Sequence, residues 1–261
     1  MASDASTTFD FEHMAVAFSG DVATITLNRP EQRNALSQKL RDELKEFLQV
    51  CAPLVKVVVL TGAGKAFCAG MDLKEKVGFR EGENQWGLFR SLFNADTIFV
   101  AAVNGPARGA GLTLITACDI AVADPSSDFA LPQITHGIYG GIATTMLQLS
   151  LPKKAVAELV LTGIPMSADR AVNIGLINHV SAPGESLAMA QRIANRIAGF
   201  DRKVLKIAKR MIGELPYDDG ARESAVKATR LATLEAAPIT EDRIIDTRFG
   251  PKDGKASSTQ P

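Results

Sequence analysis

Two runs of apolar residues end in glycine-rich turns, and each turn leads into a segment with a helical pattern. The first run, Val55 to Leu60, is almost entirely β-branched and is followed by TGAGKAFCAGMDL, Thr61 to Leu73. The second run, Phe99 to Val103, precedes NGPARGAGLTL, Asn104 to Leu114. Continuous apolar runs of this length are typical of strands covered on both faces of a parallel sheet. The sequence therefore predicts an α/β fold with parallel crossovers.

The segments around these turns continue the alternation of strands and helices. VATITL, from Val22, alternates apolar and polar residues and predicts a half-buried strand. Ser37 can cap the helix that follows it. The apolar residues of that helix fall on one face: Leu40, Leu44, Phe47 and Leu48. We expect a further helix from Gly111 to about Cys118 and a short buried strand from Ile120 to Ala123.

After about Leu151 the strand signals fade and helical patterns predominate. One apolar stripe comprises Val204, Ile207, Ala208, Met211 and Ile212, and a second comprises Ala221, Ala225, Ala228 and Leu231. A helical segment without a sheet of its own packs on the preceding domain or on a neighbouring subunit, so we expect an oligomer. The basic residues of the first helix are expected on a solvated face, with contact to a phosphorylated ligand as the alternative: Arg202, Lys203, Lys206, Lys209 and Arg210.

Composition excludes several classes of function. The 261 residues contain 29 Lys and Arg against 29 Asp and Glu, which leaves no excess charge to attract nucleic acid or an anionic membrane. Cys51, Cys68 and Cys118 are too far apart for a disulfide framework or a CxxC metal site. No stretch approaches 18 apolar residues, and the N-terminus lacks a basic region followed by an apolar one. We therefore expect a cytoplasmic protein.

The glycine-rich turns are the first candidates for chemistry. They follow buried strands, which is where open α/β sheets bind ligands. Backbone N–H groups at a helix start have no partner within the helix, so they can donate to an anion or to a carbonyl oxygen that gains charge. Two such turns could share one oxygen. The alternative is that the glycines only permit tight turns between strand and helix.

Other catalytic motifs are incomplete. GAGKA lacks the glycine spacing and the hydroxyl of a P-loop, and neither turn contains a complete GxGxxG. The chain has no GxSxG. His13, His136 and His179 lack the spacing of a metal site or a nucleophile triad, so each is expected to be structural or on the surface.

Five blocks of sequence carry a family resemblance. They are NRPEQRNALS, VVVLTGAGKAFCAGMDL, AAVNGPARGAGLTLITACDI, FALPQITHGI and AELVLTGIPMSADRAVNIGLINHV. In this order and spacing, from Phe11 to Val180, the chain resembles the crotonase (enoyl-CoA hydratase/isomerase) superfamily. Small, polar residues predict a mobile N-terminus at 1–8 and a mobile tail at 250–261. The resemblance implies a ββα spiral core at 9–195 and a helical trimerisation region at 196–249. It also implies an acyl-CoA substrate and assembly as a homotrimer or as a hexamer built from two trimers.

The resemblance assigns roles to residues of both glycine turns. The family's oxyanion hole corresponds to the backbone N–H groups of Met71 and Ala110, which would stabilise the negative oxygen of a thioester enolate. Residues at the positions that line the CoA site in the family are Lys65, Ala66, Phe67, Ala69 and Lys74. Phe67 and its neighbour Cys68 could equally belong to the core. Coenzyme A would enter as part of the substrate, and we expect no prosthetic group.

The sequence departs from the family at the acid/base positions. Family hydratases hold a water between two glutamates, where this chain has Thr113 and Gln133. Neither side chain is a general base near neutral pH. The methylmalonyl-CoA decarboxylase branch also lacks both glutamates and has a tyrosine in the loop that here contains Tyr139. His136 and Tyr139 lie in one short loop and are the candidates for a proton donor, with simple packing as the alternative.

Three classes of function follow. The first is a lyase of fatty acid metabolism that acts on an acyl-CoA as the family hydratases and isomerases do. The second is an acyl-CoA decarboxylase or a thioester or C–C bond hydrolase, and the third is a non-catalytic protein that binds a CoA ligand. Glu83 is a possible replacement base, and Trp86 and Phe89 could bound an aromatic acyl group. The alternative is that Glu83 is solvated and that the two aromatic residues only anchor their helix.

Overall fold

The computed structural model describes residues 11–75, 81–137 and 139–213, with the backbone alone for 81–86. The chain divides into two compact units, Met1–Glu214 and Leu215–Pro261. The described residues all belong to the first unit. The predicted mobile ends and the second apolar stripe, 221–231, lie outside the described residues, and the domain boundaries stay a prediction.

Strands and helices alternate through most of the described residues. The strands are β1 Met14–Ser19, β2 Val22–Leu27, β3 Val57–Gly62, β4 Ile98–Val103, β5 Ala107–Arg108, β6 Ile120–Ala123, β7 Asp128–Ala130, β8 Met166–Ser167 and β9 His179–Val180. The helices are α1 Gln38–Val50, α2 Glu81–Asn94, α3 Ala110–Ala117, α4 Gly141–Gln148, α5 Lys153–Thr162, α6 Ala168–Asn173, α7 Ser186–Ala198 and α8 Arg202–Gly213. None of the helices in the described ranges is long and apolar enough to span a membrane.

The strands form two sheets. The larger has the order β1-β2-β3-β4-β6-β9, and the smaller has the order β5-β7-β8. In the larger sheet β1 pairs antiparallel with β2, and the other neighbours are parallel. In the smaller sheet β7 pairs parallel with β5 and antiparallel with β8. The predicted α/β class with parallel crossovers is confirmed.

The centre of the larger sheet is covered on both faces. Every residue of β3 and β4 is buried. Successive side chains of a strand point to opposite faces, so Val58 and Leu60 join the cluster that contains α1, whereas Val57 and Val59 join the cluster that contains α7. This double burial explains why the two strands are continuous apolar runs in the sequence.

Most predicted elements have the predicted positions. The strands β2 and β6 match their predictions, and Ser37 caps α1 by accepting a hydrogen bond from the Leu40 N–H at 3.2 Å. The strand expected from Val55 begins two residues later, at Val57, where pairing with Val22 starts. The N-terminal strand β1 was not predicted, although MAVAFS alternates and is followed by a turn at Gly20 with a φ of 57°.

The basic face of α8 corrects an expectation. Lys209 is only 8% exposed, and its Nζ donates to the Thr97 carbonyl at 2.8 Å and to Asp119 Oδ2 at 2.9 Å. Arg202 donates to the Val55 carbonyl at 2.9 Å. Lys209 and Arg202 thus satisfy the carbonyls of Thr97 and Val55, two buried residues that precede β4 and β3. The prediction of a solvated face was therefore wrong for Lys209, whereas Arg202, Lys203 and Arg210 are exposed.

A buried asparagine ties the loop after β2 to the turn after β3. Asn34 is fully buried and has a φ of 56°. Its Nδ2 donates to the carbonyls of Ala63 at 2.9 Å and Ala66 at 2.8 Å. Its Oδ1 accepts from the Arg29 N–H at 2.9 Å. One side chain thus satisfies three backbone groups from two loops.

Replacing this asparagine by alanine should destabilise the protein strongly. Asn34→Ala leaves three backbone groups without their partner, at about 1–3 kcal/mol for each group that stays buried, and places a Cβ-bearing apolar residue at positive φ, which costs about 1 kcal/mol more. We expect the free energy of unfolding, measured by chemical denaturation, to fall by at least about 3 kcal/mol. Asn34→Gly loses the same three hydrogen bonds but adopts positive φ without the strain of alanine, so it should be the less damaged variant. Wild-type stability in Asn34→Ala would contradict this account.

Candidate active site

The first glycine turn lies between two other segments. On one side the Leu36 N–H donates to the Gly70 carbonyl at 2.7 Å, and Leu36 and Met71 form a parallel bridge. On the other side the Arg108 N–H donates to the Cys68 carbonyl at 2.9 Å, so the second glycine turn is held directly against the first. The two glycine turns therefore lie side by side at the carboxyl ends of β3 and β4.

The backbone of Met71 is oriented by its neighbours. The Gly70 carbonyl and the Asp72 N–H both bond to Leu36, at 2.7 and 3.3 Å. In extended backbone the N–H of the intervening residue points to the opposite edge. The Met71 N–H therefore points away from Leu36, and it donates to no acceptor among the described residues.

The two turns touch through glycine. Gly70 has a φ of 94°, and a Cβ added there would lie 2.8 Å from the Arg108 carbonyl oxygen and 3.4 Å from the Ala110 nitrogen. A Cβ added at Gly111 would lie 2.3 Å from the Cys68 carbonyl oxygen. Side chains at either position would force the turns apart. Gly70 and Gly111 are thus needed for the contact between the turns, and not only for the backbone conformation of each turn.

The Ala110 N–H lies at the start of α3. The preceding Gly109 has a φ of 52°, and its carbonyl accepts from the N–H groups of Leu112 at 3.0 Å and Thr113 at 3.3 Å. The Ala110 N–H comes before these bonds and finds no acceptor in the described part of the chain. It is one of the unpaired donors of a helix N-terminus, where the helix dipole also favours negative charge.

The side chains of Thr113 and Gln133 both lie against Gly109 of the second glycine turn. Thr113 is buried, and its Oγ1 donates to the Gly109 carbonyl over a long 3.4 Å. A Cβ added at Gly109 would lie 3.1 Å from Gln133 Nε2, and one added at Gly140 would lie 3.0 Å from the same atom. The Gln133 carboxamide is therefore wedged between two glycines, one residue from Ala110. Its Oε1 is buried and has no hydrogen-bond partner within the described residues.

The predicted proton donors lie at the edge of this region. Tyr139 lines a small cavity together with Gln133, and its side chain is 70% exposed. Its ring lies over the start of α4, 3.4 Å from where a Gly141 Cβ would be. His136 is exposed at the end of the 3-10 turn Pro132–His136, and its imidazole makes no hydrogen bond to a described residue.

The residues predicted to line the CoA site differ in exposure. Lys65 and Lys74 are exposed, Ala69 is half-buried, and Ala66 is buried. Phe67 is fully buried in the main core, which leaves only its backbone to face a ligand.

The remaining site candidates lie on α2, and the structure describes only one of their side chains. Phe89 belongs to the core, and the side chains of Glu83 and Trp86 lie outside the described residues.

An ion pair beside Met71 was not predicted. Arg29 Nη1 donates to Asp72 Oδ2 at 2.9 Å and to the Ala35 carbonyl at 2.6 Å. Burial alone would raise the pKa of Asp72, but the hydrogen bonds from Arg29 and from the Lys74 N–H outweigh it and lower the pKa. Asp72 is thus an anchor that stays charged rather than a general base. The pair joins two sequence blocks that no short-range pattern connects.

A second ion pair supports the other turn. Arg108 and Asp128 approach to 2.7 Å, and Arg108 Nη1 also donates to the Asp128 carbonyl at 2.9 Å. This contact joins β5 to β7 two residues before Ala110. The carboxylate next to Met71, that of Asp72, and the carboxylate that supports the second turn, that of Asp128, are therefore both engaged with arginines.

Metal and thiol chemistry have little support in the described ranges. No group of three or more His, Cys, Asp or Glu residues there could hold a metal ion. Burial raises the pKa of the Cys68 thiol to about 12, so this cysteine of the first turn stays protonated.

Alanine substitutions at two helical glycines distinguish the cost of forcing the two turns apart from the gain in stability that alanine brings to a helix. Gly111→Ala places a Cβ against the Cys68 carbonyl and should lower the free energy of unfolding by about 1–3 kcal/mol or more. Gly87→Ala, in α2, meets no atom of the described residues within 4 Å. It should raise stability by about 0.5–1 kcal/mol. Equal effects of the two substitutions in chemical denaturation would show that the turns do not need this close approach.

The chain is similar in sequence to known hydratases. Residues 17–234 match the family model described as enoyl-CoA hydratase/isomerase. The chain is 35% identical over 206 residues to the short-chain-enoyl-CoA hydratase of Clostridium acetobutylicum, an alignment that covers 74% of this chain and 78% of that protein. It is 32% identical over 207 residues to the mitochondrial enoyl-CoA hydratase domain-containing protein 3 of Rattus norvegicus, covering 76% and 69% of the two proteins.

Solved structures agree with the sequence matches. Enoyl-CoA hydratase from Bacillus anthracis superposes with a TM-score of 0.81 at 30% identity, covering 89% of this chain and 93% of that one. Human enoyl Coenzyme A hydratase domain-containing protein 3 superposes with the same TM-score of 0.81 at 29% identity, covering 85% and 92%. The two sheets and their helices thus form the spiral core of the crotonase fold, and the chain belongs to the enoyl-CoA hydratase/isomerase family.

Proposed function

We propose that this protein is an enzyme that processes acyl-CoA thioesters by stabilising an enolate between the N–H groups of Met71 and Ala110. The observation that carries the proposal is a pair of adjoining turns, each with a backbone donor that has no acceptor among the described residues. Preorganised donors of this kind stabilise an oxyanion without reorganising during the reaction. Lys65, Ala66, Phe67, Ala69 and Lys74 would face the CoA moiety, partly through their backbone.

The reaction we propose needs no carboxylate base. Positions 113 and 133 hold Thr and Gln, and the nearby Asp72 and Asp128 are paired with arginines. Loss of CO2 from a 2-carboxyacyl-CoA breaks a C–C bond and leaves the electron pair on the α-carbon, so the enolate forms without proton abstraction. The negative charge then develops on the thioester oxygen, where the two N–H groups would meet it.

Hydration of an enoyl-CoA is the second candidate. The names of the relatives favour it, because one is called a short-chain-enoyl-CoA hydratase and another an enoyl-CoA hydratase domain-containing protein. Hydration would require an acid/base group to replace the missing glutamates, such as Glu83. Thioester hydrolysis and a non-catalytic CoA-binding role would also be compatible with the two donors. By resemblance to the family, we further propose a homotrimer or dimer of trimers in the cytoplasm.

A turnover screen distinguishes these reactions. The purified protein is mixed with crotonyl-CoA, an aromatic enoyl-CoA, malonyl-CoA, methylmalonyl-CoA and a β-ketoacyl-CoA, and the products are identified by mass spectrometry. We expect decarboxylation of a 2-carboxyacyl-CoA and no hydration. Hydration of crotonyl-CoA by the wild-type chain would contradict the base-free reaction.

A proline substitution tests the donor itself. Ala110→Pro removes one N–H at the first position of a helix, where proline is tolerated. We expect kcat to fall about 10²–10³-fold, the usual loss for one oxyanion-hole donor. Lys153→Pro is the matched control, because Lys153 is the exposed first residue of α5. An unchanged kcat in folded Ala110→Pro would remove Ala110 from the site.

A further inference from the structure

We propose that one water molecule binds between Gln133 Oε1 and Thr144 Oγ1, and that Gln133 orients this water to protonate the enolate carbon. The protonation step rests on the proposed function, whereas the water site itself does not. Gln133 would thus be a positioning residue that acts through the water.

A cavity of suitable size lies beside Gln133. Its volume is about 10 Å³, and its lining residues are Leu131, Gln133, Ile134, Tyr139, Gly140, Thr144 and Val160. This is about the space that one water molecule requires, and it is too small for an acyl group. Apolar side chains form much of the wall, so the polar atoms in it determine what can bind.

Two of these polar atoms are acceptors. Gln133 Oε1 is buried without a partner in the described part of the chain, and a carboxamide oxygen can only accept. Thr144 is 8% exposed, and its Oγ1 donates its one hydrogen to the Gly140 carbonyl at 2.9 Å, so only its lone pairs remain. The ligand that fits must therefore be small and must donate hydrogen bonds. Water satisfies both conditions.

The cavity adjoins the proposed oxyanion site. The nitrogen end of the Gln133 carboxamide lies against Gly109, the residue before Ala110. The oxygen end is the buried, unpaired acceptor. One side chain therefore connects the donor turn to the cavity. Tyr139 also lines the cavity and is 70% exposed, so this wall of the cavity lies at the protein surface.

The proton balance of the step is simple. When the C–C bond of the 2-carboxyacyl-CoA breaks, CO2 leaves and its bonding electron pair stays with the α-carbon as the enolate. The charged carbon then competes with the neutral Thr144 hydroxyl for one hydrogen of the water, while Gln133 keeps the other. The water protonates the carbon from one face, and the remaining hydroxide regains a proton from solvent on the Tyr139 side. One solvent proton is consumed for each CO2 released.

Deuterium incorporation tests the orientation of the water. With 2-methylmalonyl-CoA in D2O, the wild-type protein should yield mainly one enantiomer of 2-deuteriopropionyl-CoA, at about ten to one or better. Gln133→Met removes the hydrogen-bond acceptor and keeps a side chain of similar volume. The ratio of the two enantiomers should then approach one to one, whatever happens to kcat. Thr144→Val should lower the ratio partially.

Thr116→Val is the matched control for Thr144→Val. Thr116 is also 8% exposed, and its Oγ1 donates to the carbonyl four residues earlier at 2.9 Å, but it does not line the cavity. This control should keep the wild-type ratio. A racemic wild-type product, or an unchanged ratio in Gln133→Met, would overturn the proposal.

A high-resolution crystal structure tests the water site independently of turnover. We expect density for one water within about 3.2 Å of both Gln133 Oε1 and Thr144 Oγ1, and its loss in Gln133→Met. A water at this site in a protein that releases no CO2 would refute the decarboxylase and the protonation step but keep the site. Release of CO2 without such a water would overturn the inference and leave the proposed function intact.

Discussion

The contact between two glycine-rich turns is the constraint on which this site depends. The Cys68 carbonyl occupies the space that a Gly111 side chain would fill, and the Arg108 carbonyl does the same at Gly70. Backbone meets backbone here, so the N–H groups of the two turns come to one edge of the sheet without side chains between them. Because donors fixed by the fold need no reorganisation, such an edge suits a reaction in which charge appears suddenly on one oxygen.

Buried and partly buried polar side chains hold this contact in place. Asn34 satisfies carbonyls of the first turn, Arg29 pairs with Asp72 next to Met71, and Arg108 pairs with Asp128 next to the second turn. None of these groups has a role in the proposed chemistry. Each of these groups is already paired with another group of the fold. The carboxylates of Asp72 and Asp128 are therefore not available as general bases. Thr113 and Gln133 take no part in these framework contacts, so under the proposed function they would alter the reaction and not the scaffold.

The sequence predicts the parts of this molecule that have local causes. Strands β3 and β4 are recognisable because burial on both faces requires continuous apolar runs, and α1 because Ser37 caps a regular apolar stripe. The two-residue strands β5, β8 and β9 are too short to carry a pattern. The Arg29–Asp72 pair spans 43 residues, and the burial of Lys209 depends on Asp119, 90 residues away. Such pairings are set by tertiary structure and leave no periodic signal.

A crystal structure with butyryl-CoA, a saturated thioester that cannot lose CO2, tests the central claim most directly. If the two turns form one oxyanion hole, the thioester oxygen will lie about 2.7–3.1 Å from both the Met71 and the Ala110 nitrogen. An ordered butyryl-CoA whose thioester oxygen contacts neither nitrogen would contradict the account.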